Sequence, residues 1–271
     1  MQIYIIILNA LVVFLLLIAG IFPALLFEKG LAAEFLRMVW PLGLILLLAI
    51  GTVNIMYLRN RKLLSLLDKG DWPALADYLE KKIYQDGKYS SRHVRLLAQS
   101  FLIQGNFDAA MGLKDKVAAV KPALLEANAL FFGVAYLLGG KADIAVEFFK
   151  ERLDKGQSAD NEWIRWYYGF SLMIGGYLEL AEGVFEKLAS DSRDVFITGL
   201  SAYFLADKLG KNSLAQAEWR VHADAGKSRV RKIVKTAGKW EKKAQKMKAE
   251  VCGAIIRKYI DEAGIWIFGE T

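Results

Sequence analysis

Apolar and polar positions change rhythm three times along this chain. Residues 3–27, IYIIILNALVVFLLLIAGIFPALLF, carry no charge, and Tyr4 and Asn9 are the polar breaks. Residues 38–58, MVWPLGLILLLAIGTVNIMYL, are uncharged as well. Each run exceeds the roughly 20 residues that a bilayer-spanning helix needs. From 58 to 210 the period becomes helical, broken by glycines. From 227 to 260 Val230, Ile233, Val234, Ala237, Trp240, Ala244, Met247, Val251 and Ile255 recur every three or four residues. That spacing predicts one long amphipathic helix.

The glycines of the middle stretch keep an almost constant interval. Gly70, Gly105, Gly140 and Gly176 are separated by 35, 35 and 36 residues, and Gly210 follows 34 later. A period of this size is what an array of two-helix units produces. Other columns align on it. Seven residues before each glycine stand Leu63, Ala98, Gly133, Gly169 and Tyr203; five after it stand Leu75, Ala110, Ala145, Ala181 and Ala215. The small residues predict helices crossing closely within a hairpin. Nine after the glycine come Leu79, Lys114, Phe149, Phe185 and Trp219, whose aromatics are expected to fill the space between hairpins. The competing explanation is a generic helical bundle with coincidental glycine spacing.

These columns resemble the tetratricopeptide repeat. LLAQSFLIQGNFDAAMGLKDKVAAVKP (96–122) carries the small residue, the Gly turn, the Ala and a closing Pro122. FGVAYLLGGKADIAVEFFKERL (132–153) and YGFSLMIGGYLELAEGVFEKL (168–188) follow it, whereas the units at 58–86 and 194–223 are degenerate. With the two apolar runs and the C-terminal period, the resemblance predicts an all-α chain: a transmembrane helical hairpin over 1–58, a tetratricopeptide-like α-solenoid over 59–223, and a long basic amphipathic capping helix with its tail over 224–271.

The chain has 271 residues, 55% of them hydrophobic, and the apolar excess sits at the start. A cleaved signal peptide would have a basic leader and a shorter apolar core. Here no Lys or Arg precedes residue 29. Buried core helices are the other alternative to a membrane hairpin. The linker 28–37 is neutral, while Arg59, Arg61 and Lys62 directly follow the second run. The positive-inside tendency then places both termini and the array in the cytoplasm. No Gly or Pro interrupts 52–69, so the second span is expected to continue unbroken into the first repeat. A single cysteine, Cys252, fits a reducing compartment.

In the resembled fold the first helices of successive hairpins line an inner face. That phase gives a partner groove of Arg92, Arg95, Gln99, Leu130, Val134, Leu137, Trp163, Trp166, Phe170 and Met173. Aromatic anchors concentrate binding energy, and an amphipathic helix is a natural guest. The guest is either a partner's peptide or the chain's own segment 227–260.

That segment also holds the excess charge, with 12 Lys/Arg against Glu241 and Glu250 over 227–258. Arg229, Arg231, Lys232, Lys235, Lys239, Lys242, Lys243 and Lys246 are the candidate contacts for anionic lipid or an acidic protein. A solvated capping face is the plain alternative. Nucleic acid is the least favoured partner, since no nucleic-acid fold accompanies the charge. The terminal GIWIFG (264–269) is expected to dock on the array.

No catalytic constellation appears. His93 and His222 belong to no HExxH or paired-Cys pattern, and Gly139-Gly140-Lys141 lacks the rest of a P-loop. No cofactor or metal is implied. The layout is similar to HemY-type accessory proteins and to cytochrome c assembly factors with an N-terminal hairpin, which implies a bacterial inner membrane and a non-enzymatic scaffold that recruits or assembles proteins. Two other possibilities stay open: a subunit of a larger membrane machine with its groove filled by its own C-terminal helix, and an assembly factor facing the periplasm.

Overall fold

A computed structural model describes residues 2–26, 29–156, 162–209 and 216–269, and these divide between two units, Met1–Leu75 and Ala76–Thr271. The described residues are helical and contain no strand.

In the first unit α1 (Gln2–Leu26) packs against α2 (Lys29–Lys69). The segment Arg37–Lys69 is long and apolar enough to cross a membrane, and the apolar stretch of α1, Ile5–Ile21, is shorter. Large apolar side chains of both helices point outward, among them Ile6, Phe14, Met38, Trp40 and Leu58. Between the helices Asn9 and Asn54 exchange reciprocal amide hydrogen bonds of 3.1 and 3.0 Å. The residues read as a linker from 29 onward are the first turns of α2. This helix also runs through the expected domain boundary at 58/59, because nothing between 52 and 69 breaks it.

Each recurrent glycine that the structure describes ends a helix in the same way. Gly70, Gly105, Gly140 and Gly176 have φ of 65°, 70°, 72° and 83°, a region L-residues other than glycine rarely occupy. At Gly105 its own N–H donates to the Leu102 carbonyl and the Asn106 N–H to that of Phe101. The same pair of bonds occurs at Gly70, Gly140 and Gly176. This is the Schellman arrangement, which satisfies carbonyls the helix end leaves bare. Gly210 and Ala215 lie outside the described residues.

The second unit is built from hairpins that follow one another. Helix α3 (Trp72–Glu80) leads through a π turn (Lys81–Gln85) to α4 (Ser91–Ile103). Helix α4 pairs with α5 (Phe107–Val120). Then α6 (Pro122–Ala127) and α7 (Ala129–Leu138) precede α8 (Ala142–Asp154), and α9 (Glu162–Ile174) pairs with α10 (Leu178–Asp191). Helix α11 (Val195–Tyr203), with a second π turn (Phe204–Leu209), packs against α12 (Gln216–Val234). Consecutive hairpins touch, and α4, α7, α9 and α11 form a row of first helices.

The column residues fill the hairpin interiors. Ala98, Ala110, Ala145 and Ala181 are fully buried. Phe149 and Phe185 lie over Gly133 and Gly169 of their own hairpins, and also meet Tyr167 (6.4 Å) and Phe204 (5.2 Å) of the next. The aromatics therefore act within hairpins as well as between them.

The C-terminal segment departs from the expected single helix. Its apolar positions are shared among α12, α13 (Ala237–Lys248), α14 (Val251–Ile255) and α15 (Arg257–Phe268). Lys235, at φ 66°, ends α12, and Thr236 caps α13 by accepting from the Lys239 N–H. The phase resets there, so Ile233 is 62% exposed while Val230, Val234, Trp240 and Ala244 are buried. The expected boundary at 223/224 falls inside α12, a hairpin helix.

Candidate functional site

The first-helix row presents an aromatic cluster. Trp166 stacks on Phe170 at 5.3 Å and meets Phe204 edge-on at 5.5 Å. Tyr259 of α15 covers this cluster, 5.7 Å from Phe170 and 5.0 Å from Phe204. Beside it the Tyr167 hydroxyl donates to the Cys252 carbonyl of α14 at 2.7 Å. Helix α14 also touches α4, and α15 touches α11. Burial pushes the Tyr167 phenol well above its ordinary value and the Cys252 thiol up to about 12. Neither group ionises near neutrality.

Two further contacts hold this cover. Trp240 is 2% exposed and lies between two glycines. A Cβ on Gly199 of α11 would stand 2.9 Å from its ring, and one on Gly264 of α15 would stand 2.6 Å from Nε1. That Nε1–H donates to the Ile260 carbonyl at 3.4 Å. At the other edge the Tyr203 hydroxyl lies 3.0 Å from Asp207 and 2.8 Å from Glu262. Its single proton serves one carboxylate at a time. Lys208, 3.1 Å from Asp207 and 3.4 Å from Glu262, supplies the compensating charge.

The expected groove residues are therefore in different situations. Val134 and Trp166 are fully buried and Phe170 is 8% exposed, so these three belong to the packed interior and offer no open surface. Gln99, Leu130, Leu137, Trp163 and Met173 are half-buried, and Trp163 donates to Asp194 at 3.3 Å. Arg92 and Arg95 are exposed on α4.

The basic residues divide by type. The Arg229 guanidinium donates to the carbonyls of Ala189, Ser190 and Ser192 at the end of α10. Arg231 Nε donates to the Ile267 carbonyl near the end of α15 at 2.6 Å. Both satisfy helix-terminal carbonyls and so have structural work that the sequence did not disclose. Lys232, Lys235, Lys239, Lys242, Lys243 and Lys246 are exposed, and none has an ion pair or hydrogen bond among the described residues. The two histidines are local: His93 Nδ1 donates to the Lys88 carbonyl at 3.0 Å, and His222 stands 3.2 Å from Glu186.

Tyr259, Trp240, Tyr203 and Glu262 carry the cover; sequence placed Trp240 on the apolar stripe and Tyr203 in a repeat column, and singled out neither Tyr259 nor Glu262. Gly199 and Gly264 were the available signal, since a bare Cα inside a helix often marks a close approach.

A family profile described as "Uncharacterised Treponema protein" matches residues 109–269, from α5 to the end of α15. An uncharacterized protein of Treponema pallidum (strain Nichols) is 31% identical over 232 residues, covering 83% of this chain and 74% of the relative. No solved structure matches the chain. The matched span takes in the hairpins from α7 onward and the helices that cover them, and the chain belongs to this family of uncharacterised Treponema proteins.

Proposed function

We propose that this chain is a membrane-anchored, non-enzymatic scaffold of tetratricopeptide-like hairpins whose inner face is closed by its own C-terminal helices. In this reading α1 and α2 form a two-span hairpin in the bacterial inner membrane. The array stands on the cytoplasmic side, where Arg59, Arg61 and Lys62 favour it. Partner proteins are assembled on the remaining outer surfaces, as in a subunit of a larger membrane machine.

The observation that carries this reading is Tyr259 seated over Phe170 and Phe204, where a guest helix would otherwise bind. The apolar exterior of α1 and α2 supports the anchor. So does the Asn9–Asn54 pair, because amide groups in an apolar medium need partners.

A second reading keeps the row as a recruiting groove. Exposed Arg92 and Arg95 on α4, and half-buried Leu130 and Leu137 on the adjoining α7, favour it.

Three measurements test the proposal. Alkaline carbonate extraction should leave the full chain in the membrane pellet, and release would contradict the anchor. A reporter at the C-terminus should score as cytoplasmic; a periplasmic signal would reverse the orientation. Proximity labelling should find the same neighbours with Tyr259→Ala as with the parent chain. Neighbours gained only by the variant would favour the recruiting groove.

A further inference from the structure

The six exposed lysines lie on α13, on the last turn of α12 and at the residue that ends it. On α13, Lys239, Lys242, Lys243 and Lys246 recur at three- and four-residue spacing, which puts them on one stripe. Trp240 and Ala244 make the buried stripe. Lys232 and Lys235 continue the charge back into the end of α12. No Asp or Glu lies between 225 and 240. Glu241 of α13 and Asp261 of α15 are both engaged by Lys248.

Like charges left this close without counter-charge repel one another, and contact with an extended anion relieves that repulsion. The residue types narrow the choice of anion. Arginine would give the fixed fork that reads a single phosphate or carboxylate, but Arg229 and Arg231 are spent on backbone carbonyls. The free groups are lysines, mobile point charges suited to a fluid field of headgroups. The only aromatic of α13, Trp240, is buried, so the stripe lacks a platform for stacking bases. Ile233, 62% exposed between Lys232 and Val234, adds an apolar side chain at the edge of the charge, a combination that suits a bilayer interface.

We propose that the lysine face of α12–α13 binds the anionic surface of the membrane that holds α2. This inference rests on the membrane reading above, in which the anchor ties the lysines to the same membrane.

The full chain, with Lys243→Cys carrying a fluorophore, would be reconstituted into two kinds of vesicle. One is phosphatidylcholine alone; in the other about a third of the lipid is phosphatidylglycerol. Both carry a nitroxide-headgroup lipid as quencher. Buried Cys252 stays unlabelled in the folded chain. Quenching is expected in the anionic vesicles only, and it should fall when salt is raised from about 0.1 M to about 0.5 M. Each further Lys→Gln among Lys235, Lys239, Lys242 and Lys246 should lower the ratio of docked to free face roughly five-fold. These side chains are exposed, so an unchanged unfolding temperature shows that the fold survives.

Equal quenching in both vesicles overturns the inference, as does its absence from a chain that floats with them; the face would then belong to an acidic protein. A chain that fails to float overturns the membrane reading itself, which flotation reports separately.

Discussion

Phe149 lies directly over the bare Cα of Gly133, with Cζ only 2.0 Å from where a Cβ would stand. One hairpin later Phe185 stands 3.2 Å from the corresponding point on Gly169, with Val184 closer still at 2.9 Å. The pair joins two positions of the repeat, seven before the bend and nine after it. Gly133→Ala should therefore lose about 1–3 kcal/mol by overpacking, more than the helix propensity gained. Phe149→Leu in the same chain should recover part of the loss. Gly183→Ala is the control: its Cβ would meet nothing within 4 Å. It should gain up to about 1 kcal/mol. Thermal unfolding of the three variants checks the order.

The bend at Gly140 makes a separate prediction. Its φ of 72° costs an alanine about 1–2 kcal/mol, whereas Asn tolerates it better. Denaturant unfolding should rank the parent above Gly140→Asn, and Gly140→Asn above Gly140→Ala.

The Asn9–Asn54 exchange predicts an asymmetry between single and double substitution. Asn9→Leu leaves Asn54 without its partner and should weaken the pairing of α1 with α2 by about 0.6–2 kcal/mol. Changing both to Leu should cost less than either single change. Energy transfer between probes on the two helices, in vesicles, reads the difference.

Arg229 and the lysines should respond oppositely to conservative change. Arg229→Lys cannot reach three carbonyls from one ammonium, so it should destabilise by about 1–2 kcal/mol. Lys242→Gln should stay within about 0.5 kcal/mol of the parent. Equal effects on unfolding would remove the distinction drawn between them.

Acid should loosen the C-terminal cover. Burial alone would raise the Glu262 carboxyl, but hydrogen bonds from Tyr203 and Lys208 outweigh it and hold it below its ordinary value. Glu162 behaves alike: burial opposes, and bonds from Ser192 and the N–H groups of Arg193 and Asp194 prevail. Each carboxylate binds protons less readily in the folded state. The stabilisation is complete above the unfolded value of roughly 4.3 and is lost as pH falls through the lower folded values. Tyr203→Phe removes part of that linkage. The gap in unfolding temperature between parent and variant should shrink as pH drops from about 6 to about 3.

The sequence disclosed the bends because a backbone at positive φ leaves few choices, and glycine at a fixed interval is the visible result. The buried alanines were legible for a similar steric reason. Lys235 was not, since a lysine in the left-handed region leaves no compositional mark, and an unbroken apolar period concealed the break. The cover was legible only in outline, since segment 227–260 was one of two candidate guests but the residues that seat it were not. Tyr259 reaches Phe170 across 89 residues of chain, and periodicity within a helix carries no information about such a partner. The inner-face phase led to an aromatic row, but phase alone does not distinguish a row that is open from one already covered.

If α14 and α15 close the first-helix face, the chain's single cysteine reports on it. Cys252 is 9% exposed, with its thiol raised to about 12. Its alkylation in the native full-length protein near pH 8 should run orders of magnitude slower than that of an unfolded control, and Tyr259→Ala should speed it. Alkylation of the native chain at the rate of the unfolded control would show that the face stands open.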